Sequence, residues 1–213
     1  SRPTKAVKSQ LQWRVRVKLL ACVALATRVF DKELDWSLGN LGMLVSDFQF
    51  QDVRRGRRLA RAFSGCDLGS VPTDHHTLAM HLGPGIGYVH SAYQVTDLDS
   101  IAAGGEYLKE RGYKRSWGIG RHIHGSQIFD YWRDPDHFML EHFADGDLFS
   151  CDVEPGWAAM STSGLAQWGP PATRDFLGAS PSPQRVLDVI EALRGDNEMD
   201  PARLFGLLKA ANS

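Results

Sequence analysis

The most constraining feature of this sequence is a pattern of predicted elements that occurs twice along the chain. Apolar and β-branched runs, and one stretch with apolar residues four positions apart, predict a strand, a helix and two strands at residues 15–27, 30–41, 43–50 and 60–66. The same order begins again at residue 88, with elements predicted at residues 88–95, 98–111, 126–132 and 137–143. The chain therefore predicts one structural unit built twice.

The two halves also align residue by residue. With Cys22 set on His90, three further pairs match, namely Ala24 with Ala92, Phe30 with Leu98, and Asp31 with Asp99. Two residues of slack then bring Gly42 onto Gly112. A repeated supersecondary unit of this length predicts two similar modules that pack as a pseudo-symmetric pair.

The predicted fold class is α+β, with paired modules at about 15–84 and 88–147 inside one domain at 15–150. The glycine-rich run at 83–87 is expected to link the modules. Residues 1–14 predict a basic tail, and the arginine-rich run at 54–61 predicts a solvated loop. Residues 151–213 predict a wrap over the modules, followed by amphipathic helices at 183–194 and 201–210 that begin with proline.

Composition narrows the functional classes. The net charge of −1 gives no general attraction to nucleic acid or an anionic membrane, and no apolar run approaches the ~20 residues of a membrane span. The three cysteines, Cys22, Cys66 and Cys151, are far apart, which favours a reducing cytoplasm over a disulfide framework. Residues 19–22 resemble a bacterial lipoprotein cleavage site, but the apolar run before them is shorter than a signal sequence needs.

Chemistry is expected from five polar residues, His76, His90, His122, Tyr131 and Glu141. Glu141 lies in an otherwise apolar strand, where a carboxylate is costly unless it is paired or bound to metal. A hairpin centred near residue 136 would place Tyr131 opposite Glu141 on the same face. His90 and Glu141 on neighbouring strands would supply two thirds of a 2-His-1-carboxylate site, which holds non-haem Fe(II).

Each of these residues has an ordinary alternative. A strand histidine is more often a hydrogen-bonded core or edge residue than a ligand, and Glu141 can pair with an arginine. The remaining histidines are expected to be ordinary surface or turn residues, namely His75, His81, His124, His137 and His142. The five candidates carry weight only as a set.

Two segments, 89–99 and 120–141, resemble the catalytic domain of type I extradiol catechol dioxygenases. These enzymes belong to the vicinal oxygen chelate superfamily, which is built from paired βαβββ modules. The matching features are the nine-residue step from His122 to Tyr131, the ten-residue step to Glu141, and a His-Thr-Leu-Ala motif at His76, fourteen residues before His90. The resemblance covers roughly residues 20–178 and is strongest over 66–147.

The resemblance implies a role for each candidate. His90 and Glu141 become metal ligands, His76 an acid–base residue, and His122 and Tyr131 catalytic residues that also bind substrate. The implied cofactor is Fe(II), with Mn(II) as an alternative, and the implied partners are an aromatic diol and O2. The first module should supply a second ligand histidine, but both the repeat and the family pattern place Cys22 at that position.

Three functions follow from these residues. The first is an extradiol dioxygenase, the second is a catalytically impaired aromatic-binding module, because of Cys22, and the third is another metal-dependent reaction such as that of a glyoxalase or epimerase. Several aromatic residues could line a pocket for a biaryl or bicyclic catechol such as 2,3-dihydroxybiphenyl, namely Trp117, Trp157, Trp168, Phe129 and Phe176. A homo-oligomer is expected from the superfamily resemblance and the amphipathic C-terminal helices.

Overall fold

A computed structural model describes residues 15–53 and 56–213. The basic tail predicted at residues 1–14 lies outside the described residues, as do Arg54 and Arg55 from the arginine-rich run. No helix in the described part of the chain is long and apolar enough to cross a membrane.

The repeated pattern is present as two units, each with one helix and four main strands. The first unit contains β1 (Leu19–Thr27), α1 (Phe30–Leu41), β2 (Met43–Val53), β3 (Gly56–Cys66), the short β4 (Thr73–Asp74) and β5 (Leu78–Leu82). The second contains β6 (Gly87–Gln94), α2 (Leu98–Glu110), β7 (Arg115–His122), β8 (Ile128–Arg133) and β9 (Met139–Ala144). The chain continues through β10 (Leu148–Phe149), β11 (Gly156–Ala159), β12 (Ala166–Trp168), α3 (Pro183–Arg194) and α4 (Pro201–Ala211).

Ten strands form one mixed sheet in the order β11-β2-β3-β5-β1-β6-β9-β8-β7-β12. Within each unit the first and last main strands are parallel, β1 with β5 and β6 with β9. The units meet at the antiparallel pair β1 and β6. This mixed sheet with few helices confirms the α+β prediction, while the proposed domain bounds stay a prediction.

The register of β1 against β6 supports the repeat alignment. Val23 pairs with Ser91, Cys22 with Ala92, and Ala24 with His90. A two-fold axis through the Val23–Ser91 pair maps Cys22 onto His90, the same match that the sequence alignment gives. Gly42 and Gly112 also follow the two helices with matching left-handed backbones, at φ 61° and 78°, which glycine adopts without steric cost.

The connection between β11 and β12 shows that the sheet is strongly curved. These strands lie at opposite ends of the ten-strand order, so a flat sheet would separate them by roughly 43 Å at 4.8 Å per strand. The link from Ala159 to Ala166 has only seven residue steps and reaches at most about 25 Å. The sheet therefore bends around an interior space, with its two edges brought together by the predicted wrap.

The outer face of the first unit carries a hydrophobic core under its helix. Phe30 and Leu34 of α1 pack with small and apolar strand residues, namely Ala60, Ala62, Met80 and Leu82. Because side chains alternate along a strand, the neighbouring Arg61 and His81 face the interior of the curved sheet instead.

The sequence predictions were wrong or incomplete for three strands of the sheet, β3, β5 and β7. From Gly56 onward the arginine-rich run is not a loop, because it belongs to β3, where Arg61 donates to the Gln49 side chain at 3.1 Å across the β2–β3 pair. The backbone pairing of β3 with β2 along nearly the whole of both strands outweighs the preference of a charged segment for a solvated loop. The strands β5 and β7 were not predicted, since β5 is only five residues long and β7 contains two glycines.

Candidate metal centre and its histidine network

The centre of the candidate site is formed by two adjacent parallel strands. His90 of β6 pairs with Met139 of β9, and Ala92 pairs with Glu141, so the two polar side chains lie near each other on the sheet. The Nε2 atom of His90 is 3.4 Å from Oε2 of Glu141. Glu141 is buried, and Tyr131 lies directly opposite it in the β8–β9 pair, as the hairpin prediction required.

The chemistry of His90 and Glu141 fits two ligands of a divalent metal. Their facing atoms are within ion-pair distance but form no hydrogen bond, and Nδ1 of His90 is buried without a partner. A buried carboxylate that faces imidazole nitrogens, with no lysine or arginine beside it among the described ion pairs, matches the nitrogen and oxygen donor set of Fe(II) or Mn(II) sites. The pair therefore fits a metal-binding role.

Cys22 faces the same interior but does not complete a three-ligand group. Burial raises the pKa of the Cys22 thiol well above its ordinary value, and the charges of Glu141 and Asp74 raise it further. Within residues 15–53 and 56–213, no three His, Cys, Asp or Glu side chains are arranged to hold a metal ion. The role of Cys22 as a ligand stays a prediction.

His122 and Tyr131 form a hydrogen-bonded pair beside Glu141. Nδ1 of His122 lies 2.8 Å from the Leu165 carbonyl oxygen, which can only accept, so this nitrogen carries the proton. Nε2 therefore accepts from the Tyr131 hydroxyl at 2.9 Å, and it lies 3.8 Å from Oε1 of Glu141. Leu165 belongs to the link between β11 and β12, so the wrap fixes the orientation of this histidine.

The environment sets the protonation of this pair. Burial raises the pKa of the Tyr131 hydroxyl well above its ordinary value, and the charges of Glu141 and Cys22 act in the same direction. Burial also lowers the pKa of His122, although the charge of Glu141 opposes this effect. The result at neutral pH is a protonated phenol beside a neutral imidazole.

His76 comes from the first unit and heads a chain of polar contacts. Its Nδ1 atom lies 2.9 Å from Nδ1 of His75, and Nε2 of His75 lies 2.7 Å from Oδ2 of Asp47. Burial lowers the pKa of His76 well below its ordinary value, and the nearby charges of His75, His90 and His122 lower it further. The structure thus brings His76 close to the second unit's histidines.

Sequence reasoning missed several residues of this network. His75 was expected at the surface but is fully buried. His81 and His142 were also expected at the surface or in turns but lie in β5 and β9, where His142 faces α2 and so lies outside this network. His124 lies 3.2 Å from Asp47, whereas His137 does lie in a turn. One sequence signal could have indicated a polar interior here. Asp47, Gln49 and Gln51 alternate along β2, so they share one face of that strand.

Most of the predicted aromatic residues do gather near this site. The ring centre of Phe176 lies 4.8 Å from that of Tyr131 and 4.4 Å from that of Trp117. The ring centre of Phe129 lies 4.2 Å from that of His122. Trp157 does not join them, because it stacks on Phe48 at the β2 edge and is 63% exposed. Trp168 is also exposed, so the aromatic wall consists of Trp117, Phe129 and Phe176, of which Trp117 and Phe129 are fully buried.

The paired units around one curved sheet define the vicinal oxygen chelate fold. Metapyrocatechase 2 of Cupriavidus necator is 33% identical to this chain over 172 residues, which cover 80% of the chain and 50% of the relative. The chain thus has this fold and is a homologue of an extradiol catechol dioxygenase. No protein-family model matches the chain.

Solved structures with the same fold include a glyoxalase and a dioxygenase. The Mn(II)-bound glyoxalase of Novosphingobium aromaticivorans superposes with a TM-score of 0.66 and 21% identity, covering 89% of this chain and 55% of that one. Homoprotocatechuate 2,3-dioxygenase of Arthrobacter globiformis gives a TM-score of 0.63 and 18% identity, covering 76% and 48%. The chain spans about half the length of these relatives.

Proposed function

We propose that this chain is the catalytic part of an extradiol ring-cleaving dioxygenase, which uses Fe(II) and O2 to open an aromatic vicinal diol. The observation that carries the proposal is the 3.4 Å approach of His90 to Glu141 beside the hydrogen-bonded His122–Tyr131 pair. The sequence relation to metapyrocatechase 2 supports the same reaction class.

His90 and Glu141 would hold the metal, with Cys22 at the third position. Fe(II) bound there would supply the redox chemistry that combines the diol with O2. Mn(II) is an alternative, since the glyoxalase with this fold binds Mn(II) and the same oxygen and nitrogen donors suit both ions.

The remaining polar residues would handle protons and bind substrate. His76 is the candidate proton acceptor, because its buried ring favours the neutral form. The Tyr131 hydroxyl and His122 would contact the diol, because both are held in fixed positions near Glu141. Side chains held in this way raise the rate of the chemical step, because the bound diol does not have to be oriented again before it reacts.

The aromatic wall supports a biaryl or bicyclic diol such as 2,3-dihydroxybiphenyl. Trp117, Phe129 and Phe176 surround Tyr131, and of the three only the half-buried Phe176 has a ring face that could meet a second aromatic ring. Simple catechol has no second ring to reach Phe176.

A second candidate is an aromatic-binding module with little or no catalysis. The observation that favours it is Cys22, whose thiol stays protonated and which does not assemble with His90 and Glu141 into a three-ligand group. In that case the aromatic wall would still bind a diol, and the metal-dependent step would be lost.

Metal content and product formation together separate the two candidates. The purified protein is reconstituted anaerobically with Fe(II), its iron is measured, and 2,3-dihydroxybiphenyl is added under air. A dioxygenase retains iron and forms a yellow ring-opened product, whereas the binding module perturbs tryptophan fluorescence on diol addition without product.

Location and assembly are also part of the proposal. Free Cys22, Cys66 and Cys151 support a reducing cytoplasm. Exposed apolar side chains on α3 and α4 support a homo-oligomer, namely Val186, Leu187, Phe205 and Leu208.

A further inference from the structure

A row of three side chains leads from the candidate site to the β2 strand. Asp47 Oδ2 lies 2.7 Å from Nε2 of His75, and Nδ1 of His75 lies 2.9 Å from Nδ1 of His76. His75 is fully buried and His76 is nearly so. Asp47 and His75 are not among the residues proposed to hold the metal or to contact the diol.

The direction of the hydrogen bonds follows from the chemistry of Asp47. Burial raises the pKa of this carboxyl, but hydrogen bonds from His124 and His75 outweigh burial and hold the pKa well below its ordinary value. An ionised carboxylate can only accept, so Nε2 of His75 carries a proton. A neutral imidazole ring carries a single N–H, so Nδ1 of His75 then has no proton. This nitrogen accepts a hydrogen bond from the N–H at Nδ1 of His76.

This order of donors leaves one nitrogen of His76 free. With its proton on Nδ1, the ring has a lone pair on Nε2, the atom that would accept a proton from a diol. We propose that Asp47 and His75 are positioning residues that hold His76 in this tautomer. The inference rests on the proposed function for its catalytic consequence, but the tautomer itself can be measured without any activity.

Neighbouring groups prevent the His75 ring from turning away. The Ser46 hydroxyl donates to the His75 carbonyl oxygen at 2.6 Å, which fixes the backbone. A Cβ on Gly125 would lie 2.8 Å from Nδ1 of His75, so the backbone approaches this face of the ring closely. The Phe149 ring contacts another side at 4.9 Å.

Asp47 is held with similar closeness. A Cβ on Gly156 of β11 would overlap Oδ1 of Asp47, and His124 contacts Oδ2 from the β7–β8 turn at 3.2 Å. Oδ2 of Asp47 thus lies within hydrogen-bonding distance of a ring nitrogen from each histidine, His75 and His124. In the described part of the chain this cluster does not qualify as a metal-binding group.

The decisive variant is Asp47→Asn, which keeps the shape but adds an NH2 donor. The amide can donate to Nε2 of His75, which would move the His75 proton to Nδ1 and reverse every donor along the row. A comparable replacement of aspartate by asparagine leaves the histidine of a serine-protease triad in the wrong tautomer. His76 would then carry its proton on Nε2 and lose its free acceptor.

The tautomers are read by long-range 15N–1H correlation spectra of the histidine rings, with His76 assigned by its loss in His76→Gln. We expect Nδ1–H for His76 in the parent protein and Nε2–H in Asp47→Asn. The control is Asp52→Asn, which removes an exposed carboxylate from the same strand and should leave the parent spectrum. An Nε2–H tautomer in the parent, or no change in Asp47→Asn, would overturn the proposal.

Kinetics test the catalytic consequence separately. Asp47→Asn should lower kcat about 100-fold, the low end of what positioned acid–base groups contribute, with KM for the diol nearly unchanged. A tautomer change with unaltered kcat would refute the positioning role. If the parent protein opens no diol, the proposed function fails while the spectra still decide the tautomer.

A second variant protects the test against misfolding. His75→Phe keeps a ring between Phe63 and Phe149 but removes the acceptor for His76. We expect a mixture of both His76 tautomers in this variant, and a spectrum that retains pure Nδ1–H would count against the proposal.

Discussion

Nε2 of His90 and Oε2 of Glu141 lie 3.4 Å apart although the residues belong to opposite ends of the second unit. They meet because β6 and β9 are adjacent parallel strands, which the chain joins through α2, β7 and β8. A fold that returns its last strand beside its first can thus build a metal-binding pair from residues distant in sequence.

Replacing Glu141 should abolish metal retention. Glu141→Gln keeps the shape but removes the buried charge opposite His90, so bound iron after Fe(II) reconstitution should fall from near one per chain to background, as measured by elemental analysis. The exposed Glu106→Gln should retain the parent's iron content. Retained iron in Glu141→Gln would show that this carboxylate is not a ligand.

Restoring histidine at position 22 should strengthen the metal site. The strand register places Cys22 at the two-fold equivalent of His90, and neutral imidazole avoids the cost of ionising a buried thiol beside Glu141. Cys22→His should bind Fe(II) about tenfold more tightly than Cys22→Ala and open more diol per minute. If histidine gains neither metal nor activity over alanine, the first unit does not contribute a ligand here.

His122 should affect turnover without affecting metal binding. The ring is fixed by the Leu165 carbonyl and the Tyr131 hydroxyl rather than by a ligand contact. His122→Ala should therefore keep its iron while kcat falls about 100-fold, a typical acid–base contribution. Loss of iron in this variant, measured beside Tyr107→Phe as a control on α2, would assign His122 to the metal instead.

The aromatic wall should discriminate between substrates. Phe176→Leu removes ring contacts near Tyr131 and Trp117, and one aromatic pair contributes about 0.5–1.5 kcal/mol. KM for 2,3-dihydroxybiphenyl should rise about 2- to 10-fold, with KM for catechol unchanged. Trp157→Leu, at an exposed residue that stacks on Phe48 away from Tyr131, should alter neither value. An equal effect of Phe176→Leu on both diols would rule out a second-ring pocket at Phe176.

Asp130 should make the free energy of unfolding depend on pH. Burial raises its pKa to about 6, although Trp132 and Arg115 oppose this shift, and an unfolded aspartate titrates near 3.9. Because the pKa of Asp130 is raised in the folded protein, the protonated carboxyl contributes to the free energy of unfolding below about pH 4. This contribution is lost as the pH rises through about 6.

Chemical denaturation across that range checks the sign. Asp130→Asn cannot ionise, so its free energy of unfolding relative to the parent should increase from pH 4 to pH 6. Asp136→Asn, in an exposed turn, should run parallel to the parent. A constant difference between Asp130→Asn and the parent would contradict the raised pKa.

Local sequence patterns determined the repeat, the helices and the central hairpin. The spacing of Phe30, Leu34 and Leu38 fixed the residues of α1, because a helix needs only its own apolar stripe to be recognised. The hairpin predicted near residue 136 placed Tyr131 opposite Glu141, because strand pairing next to a short turn depends on nearby residues.

The tertiary structure decided the features that depend on distant partners. Arg57 and Arg58 lie in a strand because β2 pairs with them, and β5 is a strand because it lies between β1 and β3. His75 looked like a surface residue until the curved sheet buried it against Asp47, twenty-eight positions earlier. Charge and hydropathy patterns report the preference of each segment, whereas burial is set by which other strands close around it.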